Sequence, residues 1–251
     1  MNTLKTYTAP TLQANTFLVF WTNNLISVKG VIKVRVTAGI EDREIVAELA
    51  AIQHLIEDKG VLGQGIVGSA TTQLIVSRGA IPKLHRRQSN KAHLAPYANF
   101  LTTRFAGCKI SVEKDTQWLE GNVSNSAESL LVSGPHRETI YVAGLGNVMV
   151  TQHVLDRFID RALKDVSADK AKPTAWKKLT EIVSDPSLRE VARNSLWAGV
   201  NHSANGKQEG RYFLNSKKKL ILVITDNPGE GKRLVTTYPA TSQFSELPKA
   251  A

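Results

Sequence analysis

One amphipathic segment, Asp42–Glu57, constrains the fold of this chain more than any other feature. Its apolar residues recur at helical spacing: Ile45, Leu49, Ile52 and Ile56. Acidic residues occupy its first turn, where the helix dipole favours anions. Two strand-like runs precede it, Asn15–Thr22 and Ser27–Thr37, with a turn at Asn23-Asn24. Because a helix with one apolar face has to bury that face, this order predicts a layered α/β unit.

Shorter patterns extend this unit to about residue 133. They predict a strand at 65–69, a helix around Thr72–Arg78, a strand at Cys108–Val112 and a helix at Asn125–Val132. The Gly-Pro break in Ser133–Arg137 then marks a boundary. We therefore predict a first domain at 14–133, a linker at 134–147 and a second domain at 148–240.

Charge and cysteine usage limit the function. The chain has 32 Lys and Arg against 22 Asp and Glu, a net charge of +10, which favours an anionic partner and nucleic acid first. No apolar run reaches the roughly 18 to 20 residues that span a bilayer, so no membrane partner is expected. The single Cys108 excludes an intrachain disulfide and favours a reducing cytoplasm, and the six His residues lack metal-ligand spacing. No metal or other cofactor is therefore expected.

The second domain opens on a segment with two contrasting faces. Thr151 is a suitable N-cap for a helix that places His153, Arg157 and Arg161 on one side, at i, i+4 and i+8. Leu155, Phe158, Ile159 and Ala162 face the other side. The polar side has either a phosphate or plain solvent as its partner, because both give this pattern.

The rest of the second domain changes from helical to strand periodicity. Helical segments are predicted at Trp176–Val183 and Leu188–Trp197. Strands are predicted at Gly210–Leu214, Lys219–Thr225 and Leu234–Tyr238. The predicted fold class is α/β (α+β) with two domains: a mixed sheet with helices, then a small antiparallel sheet packed on helices.

Basic residues are concentrated at Lys83–Lys91, close to the aromatic residues Tyr97 and Phe100. Cations make salt-dependent contacts with phosphates, and exposed aromatic rings stack on unpaired bases. The alternative is a solvated loop beside two core aromatics. The candidate RNA-binding residues are Lys83, Arg86, Arg87, Lys91, Arg211, Lys217 and Lys218.

Four segments of the first domain resemble, in order and spacing, the active-site segments of ribonuclease H. They are Phe20-Trp21-Thr22, Ala47–Ala51, Val67–Gln73 and Asn125–Leu131. The resemblance covers about residues 14–133 and implies four carboxylates that hold two metal ions.

In that comparison Glu48 matches the helix carboxylate and Glu128 the last acidic position. The two strand positions carry Thr22 (or Asn23) and Thr71 instead of Asp. Because neutral hydroxyls are poor substitutes for bridging carboxylates, the resemblance implies the fold without two-metal chemistry. Glu48 is alternatively an ordinary acid on a helix surface, and a two-metal nuclease that uses Glu48 and Glu128 after all is a further alternative.

The second domain resembles the metal-independent ribonuclease fold of RelE-type toxins, colicin ribonuclease domains and barnase. A helix reading HxxxRxxxR precedes a small sheet that ends in LVTTY, over about residues 138–240. The resemblance implies transfer of an RNA phosphate to its own 2′-hydroxyl, which needs proton transfer and cations but no metal.

The catalytic residues that this resemblance implies are His153, Arg157, Arg161, Tyr212, Thr236 and Tyr238. His153 is the acid or base, the two arginines hold the phosphate, and Tyr212 stacks or donates a proton. The implied partner is structured or ribosome-associated RNA (rRNA, mRNA or tRNA), and the unusual domain fusion suits a phage or mobile element. A rival reading is a non-enzymatic ribosome or rRNA binder that uses both domains as surfaces, so the sequence leaves enzymatic activity open.

Overall fold

The structure, a computed structural model, divides the chain into two compact units, Met1–His136 and Arg137–Ala251. It describes residues 1–63, 72–119, 127–163, 166, 168–191, 210–227, 229 and 231–240. Each unit contains one six-stranded sheet with helices. The predicted mixed α and β fold class with two domains is therefore confirmed.

The first sheet is an antiparallel meander with parallel strands on both sides. Its strands are β1 (Asn2–Pro10), β2 (Thr16–Asn23), β3 (Val28–Val36), β4 (Thr72–Val76), β5 (Lys109–Val112) and β6 (Glu128–Val132). Their order across the sheet is β5-β4-β1-β2-β3-β6. β1, β2 and β3 pair antiparallel, whereas β4 joins β1, β5 joins β4 and β6 joins β3 in parallel.

The long helix of the first unit, α1 (Arg43–Glu57), covers one face of this sheet. Leu49 and Ile52 are fully buried on α1 and share one core with Leu4, Val19 and Ile32 of the central strands. Burying an aliphatic side chain of this size contributes about 1.5–3 kcal/mol, so this layer stabilises the unit. The helix and the strands predicted at β2, β3 and β5 are confirmed.

The remaining helices of the first unit are short. They are α2 (Ala80–His85), α3 (Asn99–Thr102) and two 3₁₀ turns, Ala92–Ala98 and Gln117–Leu119. Phe100 is 1% exposed and meets Phe105 edge to face, with ring centroids 6.2 Å apart. This region completes the core beside α1.

In its described residues, the second unit packs two helices against a second six-stranded sheet. Its elements are β7 (Thr139–Val142), β8 (Gly146–Val150), α4 (Gln152–Ala162), α5 (Ala168–Val183), β9 (Leu188–Val191), β10 (Gly210–Asn215), β11 (Leu220–Asn227) and β12 (Gly231–Pro239). The strand order is β7-β8-β12-β11-β10-β9, and β8 meets β12 in parallel. The three strands predicted here, now β10 to β12, form the predicted antiparallel sheet, which β7, β8 and β9 extend.

Three segments predicted as helices are strands, at least in part. Thr72–Arg78 contains β4, Asn125–Val132 contains β6, and Leu188–Trp197 begins as β9. Short apolar runs fit either period, and pairing with β1, β3 and β10 decides the outcome here. The strand predicted at 65–69 and the residues of the last segment from 192 onward lie outside the described residues.

Two further segments carry strands outside the predicted domain bounds, although Thr139–Val142 is already strand-like in sequence. β1 lies before the predicted start of the first domain at residue 14, yet it occupies the middle of the sheet. The predicted linker at 134–147 contains β7 and the start of β8.

Candidate functional site

The helix α4 forms as the sequence predicts and presents the expected two faces. Thr151 is its N-cap, and the Thr151 side chain accepts a hydrogen bond from the backbone N–H of Val154 at 3.4 Å. Val154, Leu155 and Phe158 are buried in the core of the second unit. The opposite face is therefore fixed toward solvent by the packing of the apolar one.

Arg161, in the last turn of α4, is joined to strand β12. Its Nη1 donates hydrogen bonds to Thr236 Oγ1 at 3.0 Å and to the carbonyl oxygen of Thr237. Its guanidinium also lies over the Tyr238 ring, 4.5 Å from the centroid. Arg161, Thr236 and Tyr238, all predicted for one site, therefore lie together in the structure. Arg161 precedes the other two by 75 or more positions in sequence.

The Arg161 side chain lies at the edge of β12 where a neighbouring strand would otherwise pair. β8 pairs with β12 only at Arg233↔Met149 and Leu234↔Val150, after which the chain turns into α4. The second half of β12 thus has no strand partner on this side among the described residues. The guanidinium satisfies the Thr237 carbonyl there, and this fixes the long side chain in one position.

Tyr212 lies on the same sheet face as Thr236 and Tyr238. It pairs with Val223 on β11, which pairs with Thr236 on β12, so all three side chains project to one side. Two strand spacings separate Tyr212 from Thr236, about 9–10 Å. Tyr212 is 7% exposed and belongs to an apolar cluster, against which Tyr238 packs. The buried Tyr212 ring is therefore less accessible to a stacking base than the sequence predicts.

His153 and Arg157 are exposed on α4. Eight residues of helix place His153 about 12 Å along the axis from Arg161, with Arg157 midway. Each adjacent pair is one turn apart, a spacing at which two side chains reach the same small anion. The structure aligns the three cationic side chains along one helix but gives His153 no contact with the residues of β12.

In the first unit, Glu48 is the centre of a buried polar cluster. Glu48 is 0% exposed and lies on α1 above the central strands. Its Oε1 accepts hydrogen bonds from Thr6 Oγ1 at 2.8 Å and the Ser77 backbone N–H at 2.7 Å, and its Oε2 is 2.7 Å from Ser77 Oγ. Burial raises the pKa of Glu48, against the opposing effect of these hydrogen bonds and of Arg78.

The described side chains around Glu48 are not those that the ribonuclease H resemblance aligns with its strand carboxylates. Thr6 on β1 and Ser77 after β4 contact the carboxylate, rather than Thr22, which lies on β2. Thr71 lies outside the described residues. A sequence signal existed for Thr6, since β1 alternates in NTLKTYTAP, but its inward residues include two threonines and do not read as apolar.

Glu128 does not join this cluster in the described residues. It lies on the edge strand β6 and bonds to Lys59 at 3.0 Å and to His54 at 3.1 Å. The Lys59 hydrogen bond is the main cause that lowers the pKa of Glu128. In the part of the chain that the structure describes, no group of three or more His, Cys, Asp or Glu side chains is placed to hold a metal ion.

Some of the predicted RNA-binding cations are held in ion pairs. Lys91 bonds to Asp42 at 2.6 Å and is the largest cause lowering the pKa of that carboxyl. Arg211 makes a two-pronged pair with Glu190, at 2.8 and 2.7 Å, and Lys217 lies 3.5 Å from Asp185. Arg211 and Lys217 are nevertheless exposed, as are Lys83, Arg86, Arg87 and Lys218.

The aromatic part of that predicted surface is absent. Tyr97 is 8% exposed and Phe100 1%, and both belong to the core of the first unit. The two aromatics are therefore core residues, as the alternative has it, whereas the basic run is not simply a solvated loop, since it begins in α2 and its Lys91 pairs with Asp42.

No described helix is long and apolar enough to cross a membrane. Two comparisons with known proteins gave no match, so the candidate site is supported by its geometry. No protein-family model matches the chain, and no curated protein matches it.

Proposed function

We propose that the second unit binds RNA along α4 and cleaves it without a metal ion, by attack of a 2′-hydroxyl on the adjacent phosphate. The observation that carries this proposal is the fixed position of Arg161 against Thr236 and Tyr238. Nη1 is used in holding the side chain, while the Nη2 and Nε N–H groups have no partner among the described residues. A guanidinium that is held in one position and keeps unused N–H donors is suited to bind a phosphate.

Arg157 completes the anion site in this proposal. It lies one turn before Arg161, and two arginines at this spacing stabilise the charge that develops on a phosphorane. His153, one turn further, exchanges a proton with the attacking 2′-hydroxyl or with the leaving oxygen. Tyr238, under the Arg161 guanidinium, contributes to holding the guanidinium flat.

The RNA partner is proposed to be structured or ribosome-associated, and the cytoplasm is the proposed compartment. The net charge of +10 supports an RNA partner, because cations supply most of the salt-dependent affinity for a phosphate backbone. The resemblance to RelE-type ribonucleases is the reason for naming the ribosome, and the mixed first sheet is of the kind that a ribonuclease H-like module implies.

The test is cleavage of total RNA and of translating ribosomes by the purified full-length protein in EDTA. Cleavage should persist in EDTA and fall by about 10²-fold or more in His153→Ala, which is the size of a general acid or base contribution. Arg157→Ala should lose activity as well. Since both side chains are exposed, neither change should lower the unfolding midpoint.

Lys177→Ala provides a matched control, because Lys177 is an exposed cation on the neighbouring helix α5. Its cleavage rate should equal that of the wild type. Cleavage that survives in His153→Ala and Arg157→Ala, or that requires Mg²⁺, would contradict the proposed mechanism.

One observation favours a second candidate, a non-enzymatic RNA binder. Asp156, the carboxylate one turn from His153, lies 3.4 Å from Lys172, and Tyr212 is buried. A binder would sediment with ribosomal particles in a salt-dependent manner and would yield no RNA fragments under any condition. Arg157→Ala would then weaken sedimentation, while His153→Ala would have little effect.

A further inference from the structure

The first sheet has a second face, opposite α1, that differs sharply in character from the core face. Strand residues alternate between faces, and α1 takes the face that carries Leu4, Thr6 and Val19. The residues between them belong to the other side, which we call the outer face. Its members on the meander include Lys5, Tyr7, Leu18, Phe20, Lys29, Val31, Lys33 and Arg35.

The outer face is strongly positive. Lys29, Lys33 and Arg35 alternate along β3, are exposed, and form no ion pair with any described residue. Lys109 on β5 is a further exposed cation that register places on this side. Among the strand residues of this face and their immediate continuations, the only described acid is Glu113, which pairs with Lys5 at 2.5 Å.

Aromatic rings lie beside these cations. Tyr7 on β1 is directly opposite Phe20 on β2, and both are half-exposed. The next row of the sheet pairs Leu18 with Lys33. At one end of the strands, Lys5 Nζ lies 5.0 Å from the centroid of the Trp118 ring, whereas Lys33 and Arg35 lie two and three rows away toward the other end.

We propose that the outer face binds single-stranded nucleic acid. Lys33 and Arg35 are two residues apart on a strand, about 6.6–6.8 Å, and the hydrogen-bonded sheet holds them in line to meet successive phosphates. The half-exposed rings of Tyr7 and Phe20 supply a surface on which bases stack. Cations in line beside a pair of rings match the two chemistries of an unpaired strand, phosphate and base.

This surface is independent of the proposed cleavage site, since neither α4 nor β12 contributes to it. It also differs from the basic run at Lys83–Lys91, whose neighbouring aromatics are in the core. The two basic surfaces of the first unit can therefore be separated by mutation.

The experiment measures binding of the full-length protein to a fluorescent 2′-O-methyl RNA of mixed sequence, by anisotropy over a series of NaCl concentrations. This probe has no free 2′-hydroxyl, so it cannot undergo the proposed cleavage. Lys33→Glu/Arg35→Glu should weaken binding roughly tenfold or more at low salt. The slope of log K against log[salt] should flatten by about 1.4, or about 0.7 for each lost phosphate contact on a single strand.

Phe20→Leu tests the stacking half while keeping an apolar side chain. Base stacking is worth about 1–3 kcal/mol per base, so affinity for the single strand should fall about fivefold or more. Affinity for the matching duplex, whose bases are already stacked, should be lower in the wild type and unchanged by Phe20→Leu.

Two charge-reversal controls complete the design. Lys177→Glu/Lys178→Glu changes the net charge equally on the exposed side of α5, and it should leave binding within about twofold of the wild type. Lys83→Glu/Arg86→Glu tests the rival basic run. The proposal is overturned if no variant of the outer face changes the affinity, if either control weakens binding as much as Lys33→Glu/Arg35→Glu does, or if the wild type prefers duplex or anionic vesicles.

A failure here is distinguishable from a failure of the proposed function. A protein that cleaves RNA through His153 while Lys33→Glu/Arg35→Glu binds normally refutes only the outer face. Normal binding without cleavage refutes only the site on α4.

Discussion

Two replacements of Glu48 distinguish the protonated from the ionised state of this buried side chain. Glu48→Ala removes the acceptor for the Thr6 hydroxyl and for the N–H and hydroxyl of Ser77. Thr6 is 2% exposed and Ser77 is 6% exposed, so water does not replace the lost acceptor. A buried donor without a partner costs about 1–3 kcal/mol, and three neighbouring donors relax together. We therefore expect the free energy of unfolding of the first unit to fall by about 3–5 kcal/mol, which is exceptional for one substitution.

Glu48→Gln should behave differently, because a neutral side chain suits this site. A Gln carbonyl accepts from Thr6 and from the Ser77 N–H, while its amide donates to Ser77 Oγ, the pattern of a protonated Glu. Burial raises the pKa of Glu48 above the unfolded value of about 4.3, so the native state binds the proton more tightly. The contribution of this shift to the stability of the wild type is therefore fully present below the unfolded pKa, and it is lost as pH rises through the native pKa. Glu48→Gln lacks this loss, so it should be within about 1 kcal/mol of the wild type at pH 5 and gain on it by pH 8.

Hydrogen exchange measured by mass spectrometry in increasing urea assigns these changes to the correct unit. Peptides from β1 to β4 should lose protection at lower urea in Glu48→Ala, while peptides from β10 to β12 act as an internal control. The reasoning is refuted if Glu48→Gln is as destabilising as Glu48→Ala, or if its difference from the wild type does not change between pH 5 and pH 8.

Three further substitutions or reagents test other parts of the fold. Asn215→Ala should cost the second unit about 2 kcal/mol in urea denaturation, because Asn215 is fully buried and donates to the Ile182 carbonyl at 3.1 Å; an unchanged midpoint would contradict this. Gly30→Ala should shift the Trp21 fluorescence, since an added Cβ would lie 2.9 Å from Trp21 Nε1, and an unaltered spectrum would show that the ring is elsewhere. Cys108 should resist iodoacetamide at pH 8 until the protein unfolds, because burial raises the pKa of its thiol to about 12; fast labelling of native protein would disprove the burial.

The sequence predicted elements whose apolar periodicity is unambiguous and missed those that depend on their neighbours. α1 and α4 each have a continuous apolar stripe and a polar face, so local pattern and tertiary packing agree. β4 and β6 have five residues each, too few to separate a period of 2 from one of 3.6. β1 places Thr6 and Thr8 inward, where burial is supported by hydrogen bonds rather than by apolar surface.

The same limit applies to the candidate sites. Arg161, Thr236 and Tyr238 were predicted together and do meet, because a helix and the strand that it packs on have regular spacing. Glu48 is buried rather than on the helix surface, and its partner Thr6 lies on β1, a strand that the sequence does not predict. Tyr97 and Phe100 could not be assigned to core or surface, since their position depends on how 3₁₀ turns and short helices pack beside α1.

The join between Arg161 and β12 also determines where the second sheet stops growing. An open strand edge offers backbone donors and acceptors to any passing chain, and proteins commonly block such edges with a charged side chain. Arg161 occupies the edge of β12 that β8 leaves after two residue pairs. Loss of this guanidinium would therefore expose a template for pairing between molecules, so position 161 is under two separate constraints, one from chemistry and one from solubility.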